Sequence, residues 1–266
     1  MWSGDIPVRA FTFYRGAHGR TPEMCFYVIW NFIQMAFFIF QGNFPVPRDF
    51  YRRKGRMKMN TTMSKRTVNL VLAGILIALG TVLSFIKVFD LPYGGSITLC
   101  SMLPVMVFAY RCGAKWGIAA GFTFSVLQLL FGLNGLKGIS GATVVGSILL
   151  DYVLAFTVLG LSGMFRKKIK NDTLAFTLGA FAAGMLRYLC SFLSGWLLWS
   201  QFTEVSYMQG FTPMLGNLSG NTLIILYSLL YNGSYMIPEI LLTCVVGAVI
   251  MRFAGKQVLG GAAEQA

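Results

Sequence analysis

Three ionisable residues stand alone inside long apolar runs, which makes them the first candidates for chemistry. They are Asp151, Arg187 and Glu239. A charge placed within a bilayer is costly, and such residues usually face a cavity or one another. We therefore predict that Asp151 and Arg187, on neighbouring helices, form a charge-assisted pair. That pair would serve either helix packing alone or a ligand site.

Two helical faces combine charges with aromatic and hydrogen-bonding groups. One face holds Arg187, Ser191, Gly195 and Trp199, and the other holds Tyr227, Tyr231, Tyr235 and Glu239, with Asn232 at its edge. Residues four positions apart lie on one side of a helix, and lipid offers polar groups there no partner. We predict that the faces converge on a flat, polar ligand. Tyrosines alone would instead indicate helix packing or an interfacial belt.

Glu239 is compatible with two roles at this level. Pro238 precedes it, and a proline within a helix frees a backbone carbonyl and bends the helix. A structural role near the cytoplasmic half of the helix and a functional role are equally consistent with this position.

Several enzyme classes are excluded by motifs that the sequence lacks. It contains no G-x-x-x-x-G-K-[ST] phosphate loop and no H-E-x-x-H motif. Its single histidine is His18, and its five cysteines include no C-x-x-C pair. Neither a metal centre nor a Cys–His catalytic site is therefore predicted. We expect a protein that is not an enzyme and that holds no metal or cofactor.

The composition is that of an integral membrane protein. Of the 266 residues, 56% are hydrophobic and 12% are charged, whereas soluble domains carry about 25% charged residues. A transmembrane helix needs about 20 mostly apolar residues, and the sequence predicts six helices in an all-α fold. Their approximate ranges are 67–88, 98–110, 116–132, 143–165, 174–200 and 222–251. The second is short for a span and is predicted to tilt or to end in a buried loop.

The basic residues predict the orientation of these helices. If the first helix starts in the cytoplasm, the inside segments carry fifteen basic residues, and the outside loops carry Lys87 and Lys137. Cytoplasmic loops of membrane proteins are enriched in Lys and Arg, so both termini are predicted to be cytoplasmic. Because the basic residues cluster in short loops between apolar runs, the net charge of +13 does not indicate a nucleic-acid partner.

The sequence divides into three parts. Residues 1–60 form an N-terminal extension, interpreted either as a mis-assigned start, with the true start at a methionine within 57–63, or as an interfacial segment. Residues 64–256 form the six-helix membrane domain, and residues 257–266 form a short tail.

Four segments of the membrane domain resemble a known family. They are LPYGGSITLCSMLPVM (91–106), LLDYVLAFTVLGLSG (149–163), MLRYLCSFLSGWLLW (185–199) and YSLLYNGSYMIPE (227–239). In this order they resemble the thiamin-specific substrate-binding (S) components of energy-coupling factor transporters. The resemblance implies a high-affinity thiamin-binding subunit in the bacterial plasma membrane. Its implied partners are a transmembrane coupling protein and two ATPase subunits, which would use the ATP.

The resemblance also assigns roles within the first helical face and on the helix before it. Asp151, followed by Tyr152, would be the counter-ion of the thiazolium cation. Arg187 would match the basic position of the family and hold the Asp151 carboxylate in place. Trp199 would stack on a ligand ring, where a cation–π contact contributes roughly 0.5–2 kcal/mol.

Further residues take their implied roles from the same resemblance. Tyr227 and Asn232 would hydrogen-bond the aminopyrimidine ring of thiamin. The loop containing Tyr93, Gly94 and Gly95 would be the lid over the site, since glycines allow the loop to move.

Docking and ligand identity are the least specific expectations. Gly74 and Ala78 form a small-x-x-x-small step on the first helix, which lets a partner helix approach closely. Ser191 stands where the family has histidine, and the stretch 201–221 is longer than usual. The ligand could therefore be the pyrimidine precursor of thiamin or another vitamin.

The sequence also leaves two alternatives from other protein classes. One is a structural or assembly protein, and the other is a proton-coupled transporter that uses Asp151 or Glu239.

Overall fold

The described part of the chain is a helical bundle with a small β-hairpin. In the computed structural model, the described residues are 65–91, 95–136 and 141–259, and they lie in one compact unit, Arg56–Ala266. They are mostly helical, which confirms the predicted class at that level. The predicted extension 1–60, and residues 260–266 of the predicted tail, lie outside the described residues.

The elements follow one another with short connections. Helix α1 (Lys65–Ser84) is followed by strands β1 (Lys87–Asp90) and β2 (Ser96–Thr98), helix α2 (Leu103–Cys112) and helix α3 (Ala114–Gly132) with a terminal 3₁₀ turn (Leu133–Leu136). The later helices are α4 (Gly141–Phe165), α5 (Asp172–Phe202), α6 (Val205–Gly210) and α7 (Gly220–Leu259), with a 3₁₀ turn (Pro213–Leu215) before α7.

Among the described residues, five helices are long and apolar enough to cross a membrane. They are α1, α3, α4, α5 and α7. The remaining predicted span is α2, which has ten residues, and all of those from Leu103 to Tyr110 are buried. Its neighbours therefore enclose α2 on every side, which explains an apolar helix too short to span. Gly113 follows α2 with a φ of 88°, a conformation that glycine adopts without a steric penalty.

The hairpin corrects the sequence prediction after α1. The first helix was predicted to extend to 88 and the second to begin at 98, whereas β1 and β2 pair antiparallel between the two helices. Val88 and Phe89 are residue types that favour strands, and the backbone N–H of Leu91 donates to the carbonyl of Gly95 at 2.7 Å. The all-α prediction is therefore wrong for this segment, although it holds for the bundle around it.

Two of the long helices depart from α geometry in their middle or final turns. Helix α4 is π-helical over Ile148–Leu154, and α5 is π-helical over Gly195–Trp199. A π segment widens the helical turn and commonly marks a functional site. Asp151 and Tyr152 lie in the first segment and Trp199 ends the second.

Basic and polar side chains tie several helix ends together at one end of the bundle. Arg166, after α4, donates from Nη1 to the carbonyl of Tyr110 in α2 at 3.0 Å. Arg111 donates from Nη1 to the carbonyl of Val258, near the end of α7, at 2.9 Å. The Tyr110 hydroxyl donates to Oδ1 of Asp172, at the start of α5, at 2.8 Å. These contacts place basic segments of three predicted inside loops at the same end of the bundle.

Candidate functional site

Asp151 receives hydrogen bonds from two side chains of α5. The Ser194 hydroxyl donates to Oδ2 at 2.7 Å, and the Trp199 indole Nε1–H donates to the same oxygen at 2.9 Å. Both donors are neutral, so they satisfy the carboxylate without cancelling its charge. The two π segments therefore meet at a half-buried carboxylate that retains the capacity to attract a cation.

Arg187 has a different acidic partner from the one that the sequence predicted. Its Nη1 lies 3.9 Å from Oε2 of Glu239, and the side chain of Glu239 is 1% exposed. The Arg187 guanidinium also lies over the Phe156 ring, 4.4 Å from its centroid, in a cation–π arrangement. The predicted Asp151–Arg187 pair is thus corrected to Arg187–Glu239, because α7 rather than α4 presents the acid to this face of α5.

The tyrosines of α7 form the continuous face that their spacing predicted. The rings of Tyr227 and Tyr231 stack with centroids 5.4 Å apart, and Tyr231 meets Tyr235 edge-on at 6.0 Å. Sequence reasoning missed the segment that covers this face. Phe211, just after α6, lies 5.6 Å from Tyr227 and 5.7 Å from Tyr231, centroid to centroid.

The cover over the tyrosines has a buried apolar core of its own. Met208 in α6 is 2% exposed, and Leu215 in the 3₁₀ turn is fully buried against the tyrosines. Residues 201–221, which the sequence analysis had noted for their length, fold into α6 and this turn.

Asn232 of α7 lies beside Gly195 of α5. Its Nδ2 donates to the carbonyl of Ser228 at 2.9 Å, and its Oδ1 accepts from the Tyr235 hydroxyl at 2.7 Å. A Cβ at Gly195 would lie 2.3 Å from Oγ of Ser228 and 3.0 Å from Nδ2 of Asn232. A side chain at 195 would therefore displace the Ser228 hydroxyl or the Asn232 amide, so the glycine lets the two helices pack closely here.

The other predicted site residues occupy varied positions. Tyr152 donates its hydroxyl to the carbonyl of Gly132 at the end of α3, at 3.3 Å. Ser191 is half-buried on the α5 face that carries Arg187. In the predicted lid, Gly95 donates its N–H to the Tyr231 hydroxyl at 3.2 Å, whereas Tyr93 and Gly94 lie outside the described residues.

The predicted docking residues lie apart from this site. Gly74 and Ala78 are both exposed on α1, and a Cβ built at Gly74 would meet no other atom within 4 Å.

Comparison with known sequences places this arrangement in a family. The sequence profile described as thiamine transporter protein matches residues 70–259, which include all four segments quoted above. The chain belongs to this family. The match confirms the resemblance to thiamin-specific S components that those segments indicated, and a transporter family agrees with the prediction that the chain is not an enzyme.

Individual relatives agree with the family assignment. The chain is 26% identical over 205 residues to the thiamine transporter ThiT of Bacillus subtilis, covering 73% of this chain and 95% of that protein. It is 26% identical over 180 residues to ThiT of Lacticaseibacillus paracasei, covering 64% of this chain and 76% of that protein.

A solved structure shares the fold. The structure of ThiT from Listeria monocytogenes aligns with a TM-score of 0.58 at 22% identity, covering 73% of this chain and 99% of that one. The bundle is therefore the fold of a solved ThiT.

Proposed function

We propose that this chain is the high-affinity thiamin-binding subunit of an energy-coupling factor importer. The observation that carries the proposal is the Asp151 carboxylate, which two neutral donors hold in place between π segments. Thiamin carries a permanent positive charge on its thiazolium ring and has a flat aminopyrimidine ring. A fixed carboxylate beside aromatic rings and an amide matches both parts of that ligand.

The individual roles follow from this placement. Asp151 is the counter-ion of the thiazolium, and Trp199 orients the carboxylate through its indole N–H while its ring faces the ligand. Tyr227 and Asn232 bind the aminopyrimidine. Arg187 supplies a further donor, since its Nη1 makes no hydrogen bond to any residue that the structure describes.

Two more residues and one loop complete the proposed site. Tyr152 and Ser191 line its edges, and the loop containing Tyr93, Gly94 and Gly95 closes it. Gly95 is already attached to the tyrosine face through the Tyr231 hydroxyl, which supports the lid assignment.

The charge balance favours thiamin over its neutral pyrimidine precursor. With Arg187 paired to Glu239, the hydrogen-bond partners of Asp151 among the described residues are neutral. An uncompensated carboxylate in a partly buried site is unfavourable, and a cationic ligand relieves that cost whereas a neutral pyrimidine does not.

Transport requires partners in this proposal. The chain lacks a phosphate loop, so the ATP is hydrolysed by two ATPase subunits joined to it through a transmembrane coupling protein. The exposed Gly74 and Ala78 on α1 offer a close-approach surface for that coupling protein. We place the chain in the bacterial plasma membrane with six membrane-embedded helices and both termini in the cytoplasm, as the basic residues indicate.

Reconstitution into liposomes tests this function. The purified chain alone is expected to bind radiolabelled thiamin without accumulating it, with or without a proton gradient. Addition of the coupling protein, both ATPases and ATP is expected to produce uptake. Gradient-driven accumulation by the chain alone would refute the proposal and favour a proton-coupled transporter.

A further inference from the structure

Glu239 makes contacts in two directions from a fully enclosed position. One carboxylate oxygen, Oε1, accepts a hydrogen bond from the Thr98 hydroxyl at the end of β2 and a longer one, at 3.4 Å, from Ser101. The other oxygen, Oε2, faces Nη1 of Arg187. With 1% of its side chain exposed, this carboxylate is satisfied by the hairpin on one side and by the arginine on the other.

Strand β2 is attached to the same face of α7 at its two ends. Gly95 donates its N–H to the Tyr231 hydroxyl, and a Cβ at Gly95 would lie 2.8 Å from the Tyr235 ring. Three residues further along, Thr98 reaches Glu239. Three strand residues span about 10 Å and eight helical residues span about 12 Å. The two lengths are similar, so the strand runs alongside α7 from Tyr231 to Glu239.

Arg187 is held by few contacts other than Glu239. Its guanidinium rests on the Phe156 ring, and its Nη1 is buried without a hydrogen bond. The Glu239 carboxylate is the acid within ion-pair distance of Arg187 in the described part of the chain. The position of the Glu239 side chain therefore sets where the arginine charge sits.

We propose that Glu239 is a positioning residue that couples strand β2 to Arg187. A shift of Arg187 changes the hydrogen bond between Glu239 and Thr98. A displacement of β2 moves the Glu239 carboxylate and thereby changes the position of Arg187. The inference extends the proposed function, because Arg187 belongs to the proposed thiamin site. The coupling itself is a property of the ligand-free protein and can be measured without thiamin.

Hydrogen exchange of the hairpin in the ligand-free, detergent-solubilised chain measures the coupling. A peptide covering 86–99 reports the amides of Leu91 and Leu99, which donate to the carbonyls of Gly95 and Ile86. Glu239→Gln is expected to accelerate this exchange about tenfold, since hydrogen bonds to charged groups are among the stronger ones in proteins. Arg187→Met is expected to accelerate it as well, because an unpaired buried carboxylate rearranges and releases Thr98.

The double variant decides between coupling and independent effects. If Glu239 connects the two sites, Arg187→Met has no further effect on hairpin exchange in the Glu239→Gln background. Additive effects of the two substitutions, or no effect of Arg187→Met on the hairpin, would overturn the proposal.

Thr98→Val provides a milder variant that cuts the hairpin side of the contact. It is expected to accelerate hairpin exchange and to increase the thiamin dissociation rate severalfold. The matched control is Thr81→Val, at an equally buried threonine whose hydroxyl bonds the carbonyl of Ile77 within α1. Identical thiamin dissociation rates for the two variants would overturn the proposal. A wild-type chain that does not bind thiamin would instead refute the proposed function, while the exchange cycle would still test the coupling.

Discussion

The charge of Asp151 is the feature whose removal is expected to have the largest effect on binding. Ser194 and Trp199 both donate to a single oxygen of Asp151, Oδ2. In Asp151→Asn, the amide oxygen can still accept both hydrogen bonds. The substitution therefore removes the negative charge with little change in shape. Two unit charges about 4 Å apart interact by about 4 kcal/mol at an effective dielectric constant near 20, and the partial exposure of Asp151 reduces this to about 2–4 kcal/mol.

That energy corresponds to a loss of thiamin affinity between about 30-fold and about 1,000-fold. The assay is equilibrium dialysis with thiamin and with a neutral isostere in which the thiazolium is replaced by an uncharged five-membered ring. The isostere is expected to bind wild type weakly and to lose little in the variant. The control is Asp172→Asn, at the start of α5, the end of that helix away from Ser194 and Trp199. An equal loss for both ligands, or a thiamin affinity unchanged by Asp151→Asn, would refute the counter-ion role.

Substitutions at three further positions, Trp199, Gly195 and Gly74, test other parts of the proposal. Trp199→Phe keeps a ring but removes the N–H donor to Asp151, and it is expected to weaken thiamin binding about tenfold. Trp199→Ala should weaken binding more and remove most of the ligand-induced fluorescence change. An unaltered quench would show that the Trp199 ring does not contact the ligand. Gly195→Ala is expected to lower the thermal midpoint by several degrees, because the added Cβ would overlap the Ser228 hydroxyl and overpacking costs about 1–3 kcal/mol. The control is Gly74→Ala, whose Cβ would meet no atom within 4 Å and should leave the thermal midpoint unchanged. Gly74→Leu is expected to reduce co-purification with the coupling protein without altering thiamin affinity, and full retention of the complex would argue against docking through α1.

The long helices could be predicted because length and hydropathy define them locally. Helices α3, α4 and α5 lie within two residues of their predicted ranges, since each is an apolar run bounded by polar or glycine-rich sequence, whereas α7 continues eight residues beyond its predicted end at 251. The four-residue spacing also predicted the tyrosine face, because one helix fixes which residues share a side. Family membership, too, could be recognised from the four segments, all of which lie within the matched range.

The partner of Arg187 could not be predicted from the same information. Spacing shows which residues share a face, but the rotation of one helix against another depends on packing throughout the bundle. Asp151 and Glu239 were both acids on candidate helices, and the packing of α5 against α7 places Glu239 beside Arg187. Asp151 consequently relies on Ser194 and Trp199, a pairing that depends on the π-helical geometry of two segments.

The hairpin and the cover over the tyrosines were missed for a related reason. The predicted helices took in Lys87, Val88 and Thr98 and left the residues between them unassigned, whereas pairing across the turn makes two short strands of this segment. Helix α6 and the 3₁₀ turn after it are short, and their buried residues Met208 and Leu215 gain their partners from α7. Such elements are determined by tertiary contacts rather than by local periodicity.

Thiamin binding by the purified, detergent-solubilised chain can be measured by titration. Intrinsic tryptophan fluorescence is followed, with riboflavin, biotin and the neutral pyrimidine precursor as comparison ligands. We expect saturable quenching by thiamin at submicromolar concentration, much weaker binding of the precursor, and no response to the other two vitamins. Binding of the precursor as tight as that of thiamin, or no response to thiamin, would refute the proposed function.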